Sequence, residues 1–385
     1  MARGTSARLS AFYAAYFGTV GVWLPFWPVW LASKELDPAQ IGLVLAVGFW
    51  VRILTNPLVG WLSDARGERR RPMVVLGALA TLGYLGFAAA SVPWHFIVLS
   101  AVTGATYTVL VPFADSVTLA RVRSDAIDYG RVRLWGSLAF IATSVAAGRL
   151  LSDRSSDLVL WLVVCGVGLT FVSCVAMPSA PPSEGRSAAS FGDLGRLLRE
   201  SRYVLLVLSC ALVQSSHAVY YGFATLHWQA AGHSGTVAGL LWAEGVVAEI
   251  LLFFAGARVL ARFEPATLIA VGGLAGVVRW LVLAETTLLP ALVAVQLLHG
   301  LTFAATHLGA MTALGRTVPE SLSATALTVY STAVGGAALG LGMSIAGSLY
   351  ASHRGAAFFF AAALGAAGAI AALLLRHPRH KCQTA

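Results

Sequence analysis

Charge is what this sequence has least of. Asp, Glu, Lys and Arg make up 11% of its 385 residues, against about a quarter in an ordinary soluble domain. A soluble chain of this length can bury a large core, but it needs a charged surface that this composition does not supply. Cysteine is sparse as well: Cys165, Cys174, Cys210 and Cys382 show no CxxC spacing and no paired pattern, so nothing points to a disulfide framework or a metal site. There is no HExxH, no GxSxG and no Walker glycine loop, which leaves out the usual marks of a metalloprotease, a serine hydrolase and an ATP-driven machine. An enzyme is not expected, nor is a cofactor. No appended soluble domain is visible, which argues against a sensor.

What is there is apolar. Hydrophobic residues make up 58% of the chain and the mean hydropathy is +0.77. They fall in blocks of roughly 20, long enough to cross about 30 Å of hydrocarbon at about 1.5 Å per residue. The blocks predict helices near 9–32, 38–62, 72–91, 94–121, 131–152 and 157–177, then near 203–230, 236–259, 264–285, 289–312, 321–350 and 355–376. Asp37, Pro38 and Gln40 form an N-terminal helix signature, with a natural cap, a proline for the first turn and a side chain to close a capping box. The first block, near Leu9, reads as a retained span and not as a cleaved signal peptide. The expected fold is an all-α membrane protein of twelve transmembrane helices in two six-helix bundles, residues 1–177 and 203–385. Between them, 178–202 opens with PSAPPSEGRSAAS and continues as an amphipathic, Arg-rich stretch, which suits a cytoplasmic linker.

The net charge of +9 could suggest nucleic acid, but the positive residues alternate from loop to loop. With the N-terminus inside, 19 of the 26 Lys and Arg fall on inner segments and four (Lys34, Arg149, Arg154, Arg354) on outer loops. Both termini are therefore expected in the cytoplasm, in a bacterial inner membrane. The partners expected are lipid, protons and a small-molecule substrate, with no nucleic acid, and the chain is expected to act as a monomer. There is also an internal echo: GWLSDARGERRRP from Gly60 and GARVLARFEP from Gly256 both place a glycine at an inner helix end before a basic turn, 196 residues apart. Two parallel six-helix repeats would produce this.

Gly60-x-x-x-Asp64-x-x-Gly67-x-Arg69-Arg70 resembles the helix 2–3 signature of the major facilitator superfamily. Its glycine permits close packing, and Asp64 with the arginines can form a charge cluster that locks the cytoplasmic side; the alternative is a plain positive loop. AYFGTVGVWLPFWPVWL, LVPFADS, DYGRVRLWGS, HAVYYGF, GVVAEI and QLLHGLTFAATHLGAM are similar to the phenylpropionate permease group. That resemblance implies proton-driven uptake of a small aromatic acid by alternating access. A more distant resemblance to lactose permease and to nucleoside permeases keeps a sugar or nucleoside symporter as the alternative.

Six acidic and basic residues are assigned to the interior of predicted helices and not to the loops at their ends: Arg52, Arg133, Arg279, Asp115, Glu244 and Glu249. Such residues are costly in lipid and face a cavity or a partner; three of each sign leaves structural ion pairs as the alternative. Asp115 and Arg133 lie at similar depth on helices joined by a short loop, so they can meet. Lactose permease carries a sugar-binding Glu and Arg at the same 18-residue separation, and the Arg fork suits a carboxylate or hydroxyls. Arg279 and His299 share the 20-residue spacing of another pair in that permease. Thr302, however, stands where that protein has its proton-carrying Glu, so the proton must be handled elsewhere. Buried carboxyls hold protons towards neutrality, which makes Glu249, and after it Glu244, the candidate carriers; permanent pairing with Arg52 or Arg279 is the alternative. Gln214, His217 and Tyr221 share one face of helix 7, and His299, Phe303 and His307 form a stripe at i, i+4 and i+8. The substrate-binding candidates are thus Arg52, Asp115, Arg133, His217, Tyr221, Arg279 and His299. The glycines of helix 11 are expected to serve close packing.

Overall fold

The computed structural model describes residues 2–55, 57–58, 69–125, 127–178, 191–319 and 322–375. Long apolar helices dominate: α1 (Gly4–Ser33), α2 (Pro38–Thr55), α3 (Arg70–Ala89), α4 (Pro93–Val122), α5 (Tyr129–Leu151) and α6 (Asp157–Ala176). Then come α7 (Ser201–Ala230), α8 (Gly235–Phe254), α9 (Pro265–Glu285) and α10 (Leu289–Thr317). The last apolar stretch, Thr325–Leu374, is 50 residues long, too long for one crossing. A turn at Arg354–Ala356, where Arg354 takes a φ of 50°, divides it into α11, ending at His353, and α12 (Ala357–Leu374). Among the described residues this gives twelve spans, in agreement with the hydropathy blocks.

Helix starts at the polar ends are capped as their residues dictate. Asp37 accepts from the Gln40 backbone N–H at 2.8 Å while its own N–H donates to Gln40 Oε1 at 3.0 Å, which closes the predicted capping box at the start of α2. The side chains of Asp128 and Ser234 cap α5 and α8, each accepting from the backbone N–H three residues on. Leu54, Leu82, Leu169 and Phe254 remain exposed, as lipid-facing side chains must.

The packing repeats with a period of six helices. α1 packs on α5 and α6, α2 on α4, and α3 on α4 and α6; equally, α7 packs on α11 and α12, α8 on α10, and α9 on α10 and α12. Two six-helix bundles result, and they meet along α2–α11, α5–α8 and α1–α7. At two of these seams the approach is too close for side chains. A Cβ on Gly42 would lie 2.7 Å from the Gly347 Cα and 2.8 Å from the Met343 carbonyl; one on Gly235 would lie 2.7 Å from the Gly148 carbonyl. Ser144 Oγ donates to the Gly239 carbonyl at 3.1 Å, and Ser152 and Thr236 share a hydrogen bond of 3.1 Å. Small residues let backbones touch in lipid, where no hydrophobic drive brings helices together. These contacts all lie towards the end of the molecule opposite the start of α1.

Of the α11 glycines, Gly336 and Gly342 face Ile53 and Ala218 at 3.0 and 3.2 Å from a notional Cβ, and Gly340 faces Trp50. The packing expectation holds for these three; Gly335 meets nothing within 4 Å. Gly60, Asp64 and Gly67 of the signature loop lie outside the described residues. Arg69 stands at the N-terminal boundary of α3, and the Arg70 guanidinium donates to the Val175 carbonyl at the end of α6. The amphipathic part of the segment between the bundles forms a short helix, Phe191–Arg199.

Candidate functional site

In the N-terminal bundle, one polar cluster is built from α1, α4 and α5. Tyr13 and Tyr129 both donate to Asp115 Oδ1, at 2.6 and 3.0 Å. Arg133 lays its guanidinium over the Phe17 ring, 3.8 Å from the centroid, and lies 5.2 Å from that of Tyr13. The expected direct contact between Asp115 and Arg133 is not made: no ion pair joins them among the described residues. The short aspartate commits one oxygen to two phenols, and the guanidinium rests on aromatic faces instead.

The C-terminal bundle holds a denser network. Arg279 of α9 is fully buried. It donates to Gln296 Oε1 at 2.6 Å, to His299 Nδ1 at 2.9 Å and to Thr302 Oγ1 at 3.4 Å, and it stacks over Tyr220 and Trp280 at 4.3 and 4.6 Å. A guanidinium only donates, so His299 Nδ1 accepts and the neutral ring carries its proton on Nε2. That nitrogen faces Glu249 Oε2 at 3.8 Å, which gives the carboxylate a proton-bearing neighbour. His217, also fully buried, bonds Thr302 Oγ1 through Nε2 at 3.1 Å.

The stripe on α10 is present as parallel rings. His299 and Phe303 stack at 5.7 Å, and Phe303 and His307 at 6.4 Å with planes 4° apart. The backbone between them is a π-helix, Gly300–Ala305, whose wider turn offsets the drift that eight α-helical residues would give. Tyr221 packs its ring 5.5 Å from His217 and is half-buried.

The residues singled out in the sequence therefore do not form one cluster. Arg279, His299, His217 and Glu249 are linked; Asp115 and Arg133 have their contacts within the other bundle; Arg52 lines a separate small cavity within the N-terminal bundle. Glu244 is half-buried and makes no hydrogen bond or ion pair among the described residues. Gln296, Tyr13, Tyr129 and Phe17 escaped the reading of the sequence. Gln296 lies one turn before His299 and was within reach of the same helical spacing; Tyr13 and Phe17 are i, i+4 on α1 but meet their partners more than 100 residues away. No group of three or more His, Cys, Asp or Glu suited to a metal occurs among the described residues.

Known proteins resemble this chain in sequence and in fold. The model of the MFS_1 like family matches residues 6–362. A protein of Escherichia coli (strain K12) named probable 3-phenylpropionic acid transporter is 33% identical over 357 residues, covering 91% of this chain and 93% of the relative. The maltose permease of Geobacillus stearothermophilus is 27% identical over 338 residues, covering 85% and 84%. Among solved structures, a mutant form of the nucleoside transporter NupG superposes with a TM-score of 0.88 at 14% identity, covering 97% of this chain and 100% of that one. Family model, relatives and fold agree: the chain belongs to the MFS_1 like family, and it is a multi-pass transporter of the major facilitator superfamily, not an enzyme.

Proposed function

We propose that this transporter takes up a small aromatic carboxylate of the 3-phenylpropionate class together with a proton, by alternating access in a bacterial inner membrane. The observation that carries this reading is Arg133: a cation without a carboxylate partner among the described residues, bedded on Phe17 and Tyr13 inside the N-terminal bundle. The free edge of a guanidinium holds a carboxylate in two parallel hydrogen bonds. The flanking rings, and the Phe303 and His307 rings of α10 in the other bundle, would give an aromatic substrate flat partners. The name of the Escherichia coli relative favours the same substrate class.

In this scheme Arg133 takes the carboxylate, Tyr221 and the α10 stripe border the ring, and Asp115 positions Tyr13 and Tyr129. His217, His299 and the sealed Arg279 act through the wall, with Arg279 fixing the His299 tautomer. Glu249 carries the proton, with His299 Nε2 as its neighbour, and Glu244 is the reserve candidate. Gly60, Asp64, Gly67, Arg69 and Arg70 belong to a cytoplasmic lock, both termini are cytoplasmic, and one chain suffices.

A nucleoside is the second reading, favoured by the parallel His299–Phe303–His307 stack, which suits a base. Uptake of labelled 3-phenylpropionate, maltose and uridine into vesicles under an inward proton gradient separates the readings. Accumulation of the aromatic acid alone is expected. Accumulation of uridine or maltose without the acid would refute the substrate assignment.

A further inference from the structure

Arg52 of α2 stands apart from the site described above. It lines a cavity of about 30 Å³ inside the N-terminal bundle, walled by Trp23, Trp27, Phe49 and Tyr84. Its guanidinium carbon lies 4.6 Å from the Phe49 centroid, and its Nε is buried without a hydrogen-bond partner. No carboxylate pairs with it among the described residues. Asp115 is engaged by Tyr13 and Tyr129, and Glu249 faces His299. The hydroxyls on the wall supply no counter-charge either: Ser100 donates to the Val44 carbonyl at 2.6 Å and Thr108 to that of Gly104 at 2.8 Å.

Arginine does not shed its proton in proteins, and an uncompensated charge at membrane depth is costly. Water can solvate this cation but cannot neutralise it. The size of the cavity limits what can. One water needs roughly 10–15 Å³ of such space, whereas a cavity that takes up benzene measures about 150 Å³. At about 30 Å³ the space admits one small ion and no phenyl ring. Arg52, Trp23 and Thr108 keep partial exposure, so an ion can reach it. We propose that Arg52 and its aromatic cavity form a site for one small monovalent anion, chloride or a halide like it, separate from the site for the transported solute.

Trp23 and Trp27 make the site observable, because bromide quenches indole fluorescence. The full chain, purified in micelles, is titrated with sodium bromide against sodium gluconate at constant ionic strength. A saturable quenching component is expected, displaced by chloride and reduced in amplitude in Trp27→Phe. It should be absent in Arg52→Gln and shifted to about tenfold higher bromide in Arg52→Lys, which keeps the charge but loses the fork. Should Arg52→Gln not fold, the melting temperature of the unaltered chain gives a second reading: it should be higher in chloride than in gluconate by a few degrees, as ligand binding to the native state requires. Quenching that rises linearly, with equal melting temperatures in both salts, would mean that the cavity holds water alone. A saturable component that survives in Arg52→Gln would remove Arg52 from the site. Complete displacement of bromide by 3-phenylpropionate would assign Arg52 to the solute site and overturn the separation.

Discussion

At the scale of the residue, the interior is organised by three arginines that solve the same problem differently. Arg279 is sealed among neutral acceptors and two aromatic faces; Arg52 sits over a small cavity; Arg133 lies on aromatic rings and is half-buried. Only the last has the form of a substrate anchor. Replacing Arg133 by Lys keeps the charge but removes both the fork and the flat stacking surface on Phe17. Half-saturation for uptake should rise about tenfold or more, the equivalent of about 1.4 kcal/mol. Unchanged affinity and rate in a well-expressed Arg133→Lys protein would make the residue structural. The positions of these charges were legible in the sequence, but not their company. Arg279 and His299, singled out for the 20-residue spacing they share with a pair in lactose permease, are in contact. The 18-residue spacing of Asp115 and Arg133 predicted a contact that is not made, because Tyr13 and Tyr129 occupy the aspartate. Spacing rules work along a helix and across one turn; a tyrosine arriving from α1, 102 residues away, obeys none of them.

At the scale of the element, the helices that matter most are those that depart from uniform α geometry or approach a neighbour too closely. The π segment Gly300–Ala305 straightens the α10 stripe, and nothing in its composition announced it. The capping box at Asp37 was fully legible, since capping needs only residues three apart. The seams between bundles lie between these extremes. Glycine was recognisable as a packing residue in α11, but its partner Gly42 in α2 is visible only in three dimensions. A methyl group at Gly42 would press on the Gly347 backbone 2.7 Å away, and there is no flexible side chain to yield. Gly42→Ala should therefore insert and fold but hinder closure of this end, slowing uptake several-fold while solute binding in detergent persists. A wild-type rate from well-folded Gly42→Ala would show that the α2–α11 seam need not close so tightly.

At the scale of the whole molecule, the six-helix shift that maps one bundle's packing onto the other was foreshadowed by the paired glycine-basic loops. Two similar bundles joined along symmetric seams can rock about a fixed interior, which is what alternating access requires. The lock proposed at Asp64 would belong to this motion. Asp64→Asn should reach the membrane in normal amount yet transport at a small fraction of the normal rate; normal transport would remove the lock. The charges of the solute and of the carrier bear on the same cycle. An aromatic monoanion that enters with one proton moves no net charge, so uptake should follow the pH difference and ignore membrane voltage. Glu249→Gln should abolish uphill accumulation while leaving exchange of preloaded solute, because only the proton step is lost. The most direct measurement is the pH of a weakly buffered suspension of vesicles carrying the transporter, read as 3-phenylpropionate is added, with protein-free vesicles correcting for passive entry of the acid. Alkalinisation of the medium in step with labelled uptake is expected from the unaltered protein, and none above the protein-free control from Glu249→Gln. Labelled uptake without alkalinisation, or equal alkalinisation in Glu249→Gln, would contradict proton-coupled transport through Glu249.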